Sequence, residues 1–495
     1  MSTIRIVRPR RLLVWTAAAA SAFYLLLLMP NADPVLSAPT DGRPFAWNRD
    51  DFWSSLETRF RGAREAGCET LHDQVEGELR SVRQLLASID RETAGPDDHR
   101  WLTIETSLFN VAPLVAACPT RLLDQMELFT SVRASVKRQS AHWDMDSARA
   151  RERIYRVMYG GRAALEEAML QAPPGAVPAL VTGEPVPSGT PSADVRGVRI
   201  HSGDLLVSRG GAPTSALIAR GNDYPGNFSH VALVHVDGAT GKVSVVEAHI
   251  EAGVVISSVD DYLNDKKLRL MVLRLRPDLP SLGSDPLLPH KAATTALETA
   301  RTRHVPYDFE MNYRDPSKQF CSEVASSSYL TVGVTLWTAI SRISSSGLRS
   351  WLAAFGVRHF ETQEPSDLEY DPQLSVVAEW RDLETLFQDH ADNAVVDTLL
   401  EEADAGVRLG YPWWKLPFAR LVKAYSALRN SFGSTGPIPE GMSAARALRY
   451  EVFTARHRSI RNDVLSRAEA FEKRNGYRPP YWELVRFAHD ARSGS

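Results

Sequence analysis

Phe228-Ser229-His230-Val231-Ala232-Leu233-Val234-His235-Val236 is the stretch on which the reading of this chain turns. It is short, almost wholly apolar and rich in β-branched residues, the pattern of a buried strand rather than of a helix. Strand alternation places His230 on the face shared by Ala232, Val234 and Val236, and His235 on the opposite face. A second run, Val243 to Ile250, follows after Asp237-Gly238 and Gly241, which mark the turn of an antiparallel hairpin. On that strand Val243, Val245, Glu247 and His249 share one face. Directly opposite residues of a hairpin have Cβ atoms about 5 Å apart. Either Glu247 or His249 can therefore stand across from His230, with a four-residue loop in the first register and a six-residue loop in the second.

Outward from the hairpin the same period recurs. Leu205-Leu206-Val207, Val254 to Ile256 and Leu270 to Leu275 read as further short strands, and helical patterns follow at Lys291 to Arg301 and Cys321 to Leu330. Ser208 to Gly226, with its glycines and with Pro213 and Pro225, reads as a long loop leading into His230, more a substrate-facing lid than a plain surface loop. The expected organisation is a tip, anchor and spacer over 1–45, a helical region over 46–172 and a Pro/Gly/Ser-rich linker over 173–197. An α+β domain follows over 198–382, then a second helical region over 383–495.

Cys321 stands at the start of its helix in Gln319-Phe320-Cys321-Ser322-Glu323. The unpaired N–H groups and positive dipole end of a helix start favour a thiolate and offer donors to a developing oxyanion. A histidine closing an apolar strand face is easily oriented and suits a general base. The chain has three cysteines. Cys68 and Cys118 both fall in the first helical region, as two buried thiols or as one disulfide, and Cys321 is left over.

The chain's 495 residues carry 57 basic and 60 acidic side chains and a net charge of -3. That balance gives no general attraction to nucleic acid, and no nucleic-acid motif is present. His230, His235, His249, Cys321 and Glu247 lack the spacings of HExxH or paired CxxC metal sites, and no phosphate or dinucleotide loop occurs, so no cofactor is expected. Near the start, Arg5, Arg8, Arg10 and Arg11 precede an uncharged apolar run from Leu12 to Met29. This predicts a single membrane-spanning helix with its N-terminus cytoplasmic and the remaining chain outside, in the periplasm. Leu36 before Ser37-Ala38 argues against a removed signal. Tyr411-Pro412-Trp413-Trp414 opens a helix whose stripe of Phe418, Leu421, Val422, Tyr425 and Leu428 is expected to be a packed face; a helix lying on a membrane surface has the same pattern.

Gly203-Asp204 before a strand, Ser229-His230-Val231, Val246-Glu247-Ala248, Tyr307-Asp308 and Cys321-Ser322-Glu323, in that order, resemble the YiiX/YebB-like branch of the NlpC superfamily. These are circularly permuted papain-like cysteine hydrolases. Pro365-Ser366-Asp367-Leu368 extends the likeness. The resemblance implies Cys321 as nucleophile, His230 as base and Glu247 as the residue orienting His230, with His249 as a competitor. It implies cleavage of an amide through a thioacyl intermediate, in a peptide, a cell-wall peptide or a lipid-linked molecule. A lipid acyltransferase or thioesterase with the same thiol chemistry, or a non-catalytic binding module, stands as the alternative.

Overall fold

The structure, a computed structural model, describes residues 9–29, 42–47 and 50–493, with side chains except at 9–13, 17, 50 and 493. Its centre is a seven-stranded sheet. Across the sheet the strands run Leu180–Thr182, Leu374–Trp380, Lys267–Leu275, Leu205–Gly210, His230–Val236, Val243–His249 and Gly253–Ser258. Every neighbouring pair is antiparallel. Helices flank it, so the domain is α+β as expected.

The alternation of each strand sorts its apolar residues into two cores. Leu205, Val207, Val231, Leu233, Met271 and Leu273 pack beneath helices Leu288–Thr302 and Cys321–Leu330, through Ala292, Ala296, Val324 and Tyr329. Leu206, Ala232, Val234, Val245 and Val272 face the other way, where hairpin Ser192–Val195/Val198–His201 and helix Val259–Asn264 cover them.

The two helical regions share one core, in which Leu79, Trp101 and Phe129 from before the sheet meet Val395, Leu399, Ile460 and Leu484 from after it. Cys68 opens one helix of that body, and Cys118 caps the end of helix His99–Ala117; the two form a disulfide.

Three expectations are corrected. The stretch 173–197 is more than a linker: Leu180–Thr182 adds an edge strand to the main sheet, and Ser192–Val195 builds the small hairpin. Ser208 to Gly226 is not a lid. Pro213 opens helix Pro213–Arg220, whose Ala216, Leu217 and Ala219 are buried against the helical body, and Arg220 pairs with Asp397 at 2.8 Å. The stripe on Leu416–Ser431 is not a packed face, for Phe418, Leu421, Val422, Tyr425 and Leu428 are all exposed.

The membrane-spanning helix is not supported either. The run from Leu12 forms helix Pro9–Leu28, and among the described residues no helix is long and apolar enough to cross a membrane. Arg5, Arg8 and Ser37-Ala38 lie outside the described residues.

Candidate active site

His230 is the first residue of its strand and Cys321 the first of its helix, and that helix packs against that strand. Two interactions hold the approach to Cys321. Phe320 N–H donates to Glu323 Oε2 at 2.7 Å, closing the helix start. Backbone hydrogen bonds from Gln319 N–H to Pro306 O and from Asp308 N–H to Gln319 O clip the preceding segment against Tyr307-Asp308. The Asp308 carboxylate accepts from the N–H groups of Glu310 and Asn312, at 2.9 and 2.6 Å, and so shapes that turn.

The approach to His230 is held from a distance in sequence. Ser366 Oγ accepts from Phe228 N–H at 2.9 Å and donates to Phe228 O at 2.8 Å. A Cβ on Gly226 would lie 2.2 Å from Ser366 Cβ, so the chain passes only because residue 226 is glycine. Asp204 is structural: its carboxylate takes both ends of Arg274, at 2.7 and 2.8 Å.

The hairpin register pairs Ala232 with Glu247 and Val236 with Val243, leaving Asp237 to Lys242 as a six-residue loop. This is the longer register, which sets the 249 position across from 230. Glu247 nevertheless reaches His230 diagonally, Oε2 to Nε2 at 2.7 Å, a span that long side chains cover on one sheet face. The same oxygen lies 3.1 Å from His249 Nε2, and Ser257 Oγ donates to the other, Oε1, at 2.7 Å. The carboxylate is thus buried, saturated and fixed, while His249 is the more exposed imidazole of the two.

Cys321 is buried, its Sγ lies 3.9 Å from the carbonyl of Ser229, the residue before His230, and its thiol interacts electrostatically with the His230 imidazole. Burial alone pulls the His230 pKa down. The hydrogen bonds and charges of Cys321 and Glu247 outweigh it and carry the imidazole up to about 9. Burial pushes the Cys321 thiol up, but His230 and the Val231 N–H bring it below its ordinary value. Glu247 is resisted by burial, yet its bonds to His230 and His249 hold it well below the usual carboxylate range. The three groups therefore favour a thiolate–imidazolium pair backed by a carboxylate. Around them negative charge is kept low. Burial pushes Glu323 up to about 9 against its hydrogen bond from Phe320, which leaves that carboxyl neutral near pH 7, and it drives Glu364 up as well.

The structure thus brings Cys321, His230 and Glu247 together and places His249 against Glu247 rather than against Cys321. His235 lies on the other side of its strand, stacked on His290 at 5.2 Å. Sequence reasoning missed Ser257 and the positioning role of Ser366. Ser257 lies on the strand beyond Glu247, where a polar residue in a short β run was the available signal. His230, Glu247 and His249 also offer ligand atoms all within 4.8 Å of one another, a set able to hold a metal ion.

A strand-borne histidine that precedes a helix-borne cysteine, joined through an antiparallel sheet, is the arrangement of a permuted papain-like cysteine hydrolase. Residues 199–378 match the family model described as permuted papain-like amidase enzyme, YaeF/YiiX, C92 family. Over those residues the chain is similar to a family of permuted papain-like amidases, which supports a YiiX-like domain with cysteine hydrolase chemistry. A solved structure described as metalloprotein yiiX from Escherichia coli O157:H7 is 19% identical. It aligns over 37% of this chain and 98% of its own, with a TM-score of 0.30. No curated protein matches the chain.

Proposed function

We propose that Cys321 is the nucleophile, His230 the general base and acid, and Glu247 the residue that orients His230, in hydrolysis of an amide. The observation that carries this is the single imidazole held between a buried thiol and a buried carboxylate. The Cys321 thiolate adds to the amide carbon. First-turn N–H groups of the cysteine helix are the donors for the oxyanion. The C–N bond breaks as His230 gives its proton to the leaving amine, which leaves a thioester on Cys321. His230 then takes a proton from water, the hydroxide adds to the thioester, and the C–S bond breaks to free the acid. The substrate class is an amide in a cell-wall peptide or a lipid-linked molecule. The enzyme acts outside the cytoplasm, a reading supported by the Cys68–Cys118 disulfide, since such bonds persist in oxidising compartments.

Cys321→Ala tests the chemistry. It abolishes turnover and labelling by an electrophilic acyl probe, and the melting temperature stays within a few degrees of the parent. Residual activity above a few per cent would place the nucleophile elsewhere.

A second reading rests on the His230, Glu247 and His249 ligand set. A zinc ion held by these three residues would occupy the His230 nitrogen that faces Glu247 and would keep the imidazole from serving as the base. Under the cysteine mechanism micromolar zinc inhibits, and a chelator leaves the metal-free rate unchanged. Loss of turnover on chelation, restored by zinc, would make the ion the catalyst instead.

A further inference from the structure

Helix Leu416–Ser431 and the short turn Trp413–Lys415 before it carry large apolar side chains that remain exposed among the described residues. Trp413 is 66% exposed and Phe418 60%, and Trp414, Leu421, Tyr425 and Leu428 are likewise exposed. Large contiguous apolar patches are rare on soluble proteins and mark interaction sites.

Two observations say what meets this face. The first is its charge. Between Asp404 and Glu440 the chain holds no carboxylate, but it holds Arg408, Lys415, Arg420, Lys423 and Arg429. Arg408, ahead of the turn, and Arg429, on the helix itself, are both exposed. The second is its continuity with the amino-terminal helix. Arg420 donates to Leu27 O at 2.8 Å and Met29 O at 2.6 Å, satisfying the last carbonyls of helix Pro9–Leu28. That helix packs along Leu416–Ser431, and its own Val14, Trp15, Phe23, Leu25 and Leu26 are exposed. Two uncovered apolar helices lie side by side, with cations at the rim and tryptophans at one end.

We propose that these two helices together form an in-plane membrane-docking face that takes an anionic lipid bilayer as its partner. The apolar side chains enter the boundary between headgroups and acyl chains, the indoles of Trp413 and Trp414 sit at headgroup level, and Arg408 and Arg429 meet lipid phosphates. The amino-terminal helix then lies in the interface beside its partner helix and need not cross the bilayer. This proposal does not depend on the cysteine chemistry, and its test reads membrane binding rather than turnover.

The test uses the full chain with vesicles of phosphatidylglycerol and phosphatidylethanolamine. In flotation, Phe418→Glu combined with Leu421→Glu weakens vesicle partitioning at least tenfold, and raised salt weakens the parent's binding. An unchanged melting temperature shows that the variant is folded. In a Cys321→Ala background, an environment-sensitive fluorophore on Tyr425→Cys shifts to the blue with vesicles and becomes shielded from iodide. The same label on Glu127→Cys, an exposed site on helix Leu122–Ser140, does not. The proposal is overturned if the double variant floats like the parent. It is overturned equally if label 425 on vesicle-bound protein stays open to iodide, or becomes shielded without vesicles as protein concentration rises, which would make a second copy the occupant.

Discussion

Replacing Glu247 by glutamine keeps the shape of the side chain and removes its charge, which isolates what the carboxylate does for His230. The pair is close, 2.7 Å between Nε2 and Oε2, and the carboxylate is buried. A hydrogen bond of this kind to a charged group contributes about 1.5–3 kcal/mol. At 1.36 kcal/mol for each pKa unit, losing it lowers the imidazole from about 9 by roughly one to two units. The thiol loses the same support, because a less stable imidazolium stabilises the Cys321 thiolate less. The window in which the ion pair exists narrows from both sides: its acid limit rises with the thiol, and its alkaline limit falls with the imidazole. Near neutral pH the expected loss in kcat/KM is about 10²-fold, as when a third triad member is altered.

His249→Gln is the control. It removes one of three donors from Glu247, the one at 3.1 Å, and leaves His230 and Ser257 in place. The expected cost is about tenfold or less, that of one net hydrogen bond to a group that keeps its other donors. Alkylation by iodoacetamide as a function of pH reads the Cys321 ionisation directly, and rate–pH profiles read the pair. The reasoning fails if His249→Gln is the crippled variant while Glu247→Gln keeps the parent's rate and alkylation profile; the third group would then be His249.

Glu323→Gln is expected to leave turnover within a few-fold and to stabilise the fold at pH 7 by about 1–3 kcal/mol, read from denaturant midpoints. A buried carboxyl raised to about 9 must take up a proton on folding at that pH, and the amide spares this step; the gain should vanish below about pH 4. Cys68→Ser with Cys118→Ser opens a loop closed over a sequence separation of 50 and should cost about 4 kcal/mol by the chain-entropy account, without changing the Cys321 alkylation profile. Glu379→Gln takes the charge from Arg133 and from Arg162, whose Nη1 lies 3.0 Å from Oε2, and should cost about 3–5 kcal/mol. Glu379 is held far below its ordinary pKa by these cations against burial, so its contribution is present above about pH 4.5 and is lost as the solution is acidified towards the folded value; the variant's melting temperature should converge on the parent's in acid.

The candidate site was legible where chemistry and period coincided. The strands at Leu205–Gly210, His230–Val236, Val243–His249 and Lys267–Leu275 follow the alternation of their residues, and Cys321 does open its helix. The hairpin register was not legible. Asp237-Gly238 and Gly241 mark a turn without setting its length, and Glu247 reaches His230 from a diagonal position that no pairing rule requires. Leu180–Thr182 is three residues long, too short to show a period, and exists only because Leu374–Trp380 offers it an edge. Helix Pro213–Arg220 was hidden by the glycines around it, although Pro213 at its first turn and Gly221 after its end are ordinary helix punctuation. The stripe on Leu416–Ser431 shows a deeper limit. Helical spacing says that one face is apolar, and a protein core and a lipid surface ask for the same face.

The dependence of segment 198–382 on its flanks follows from which residues cross between them. Leu217, Ile343, Leu348, Trp351 and Phe360 lie within 198–382 but are buried in the core of the helical body. Arg209, fully buried, pairs with Asp389, and Arg269 pairs with Asp389 and Glu166, all from outside that range. Tyr155 OH donates to Pro225 O at 2.6 Å, so a flank residue also fixes the segment that leads to His230. Cutting the chain to 198–382 would release the charged pairs into water at small cost. It would also uncover a broad apolar face and strip Leu180–Thr182 from the edge of Leu374–Trp380, which then presents unpaired backbone groups. The expectation is that 198–382 made alone aggregates or binds a hydrophobic dye, with turnover at least 10²-fold below the full chain. A monomeric fragment that unfolds cooperatively and turns over within tenfold of the full chain would show that the helical body is not what holds His230 against Cys321.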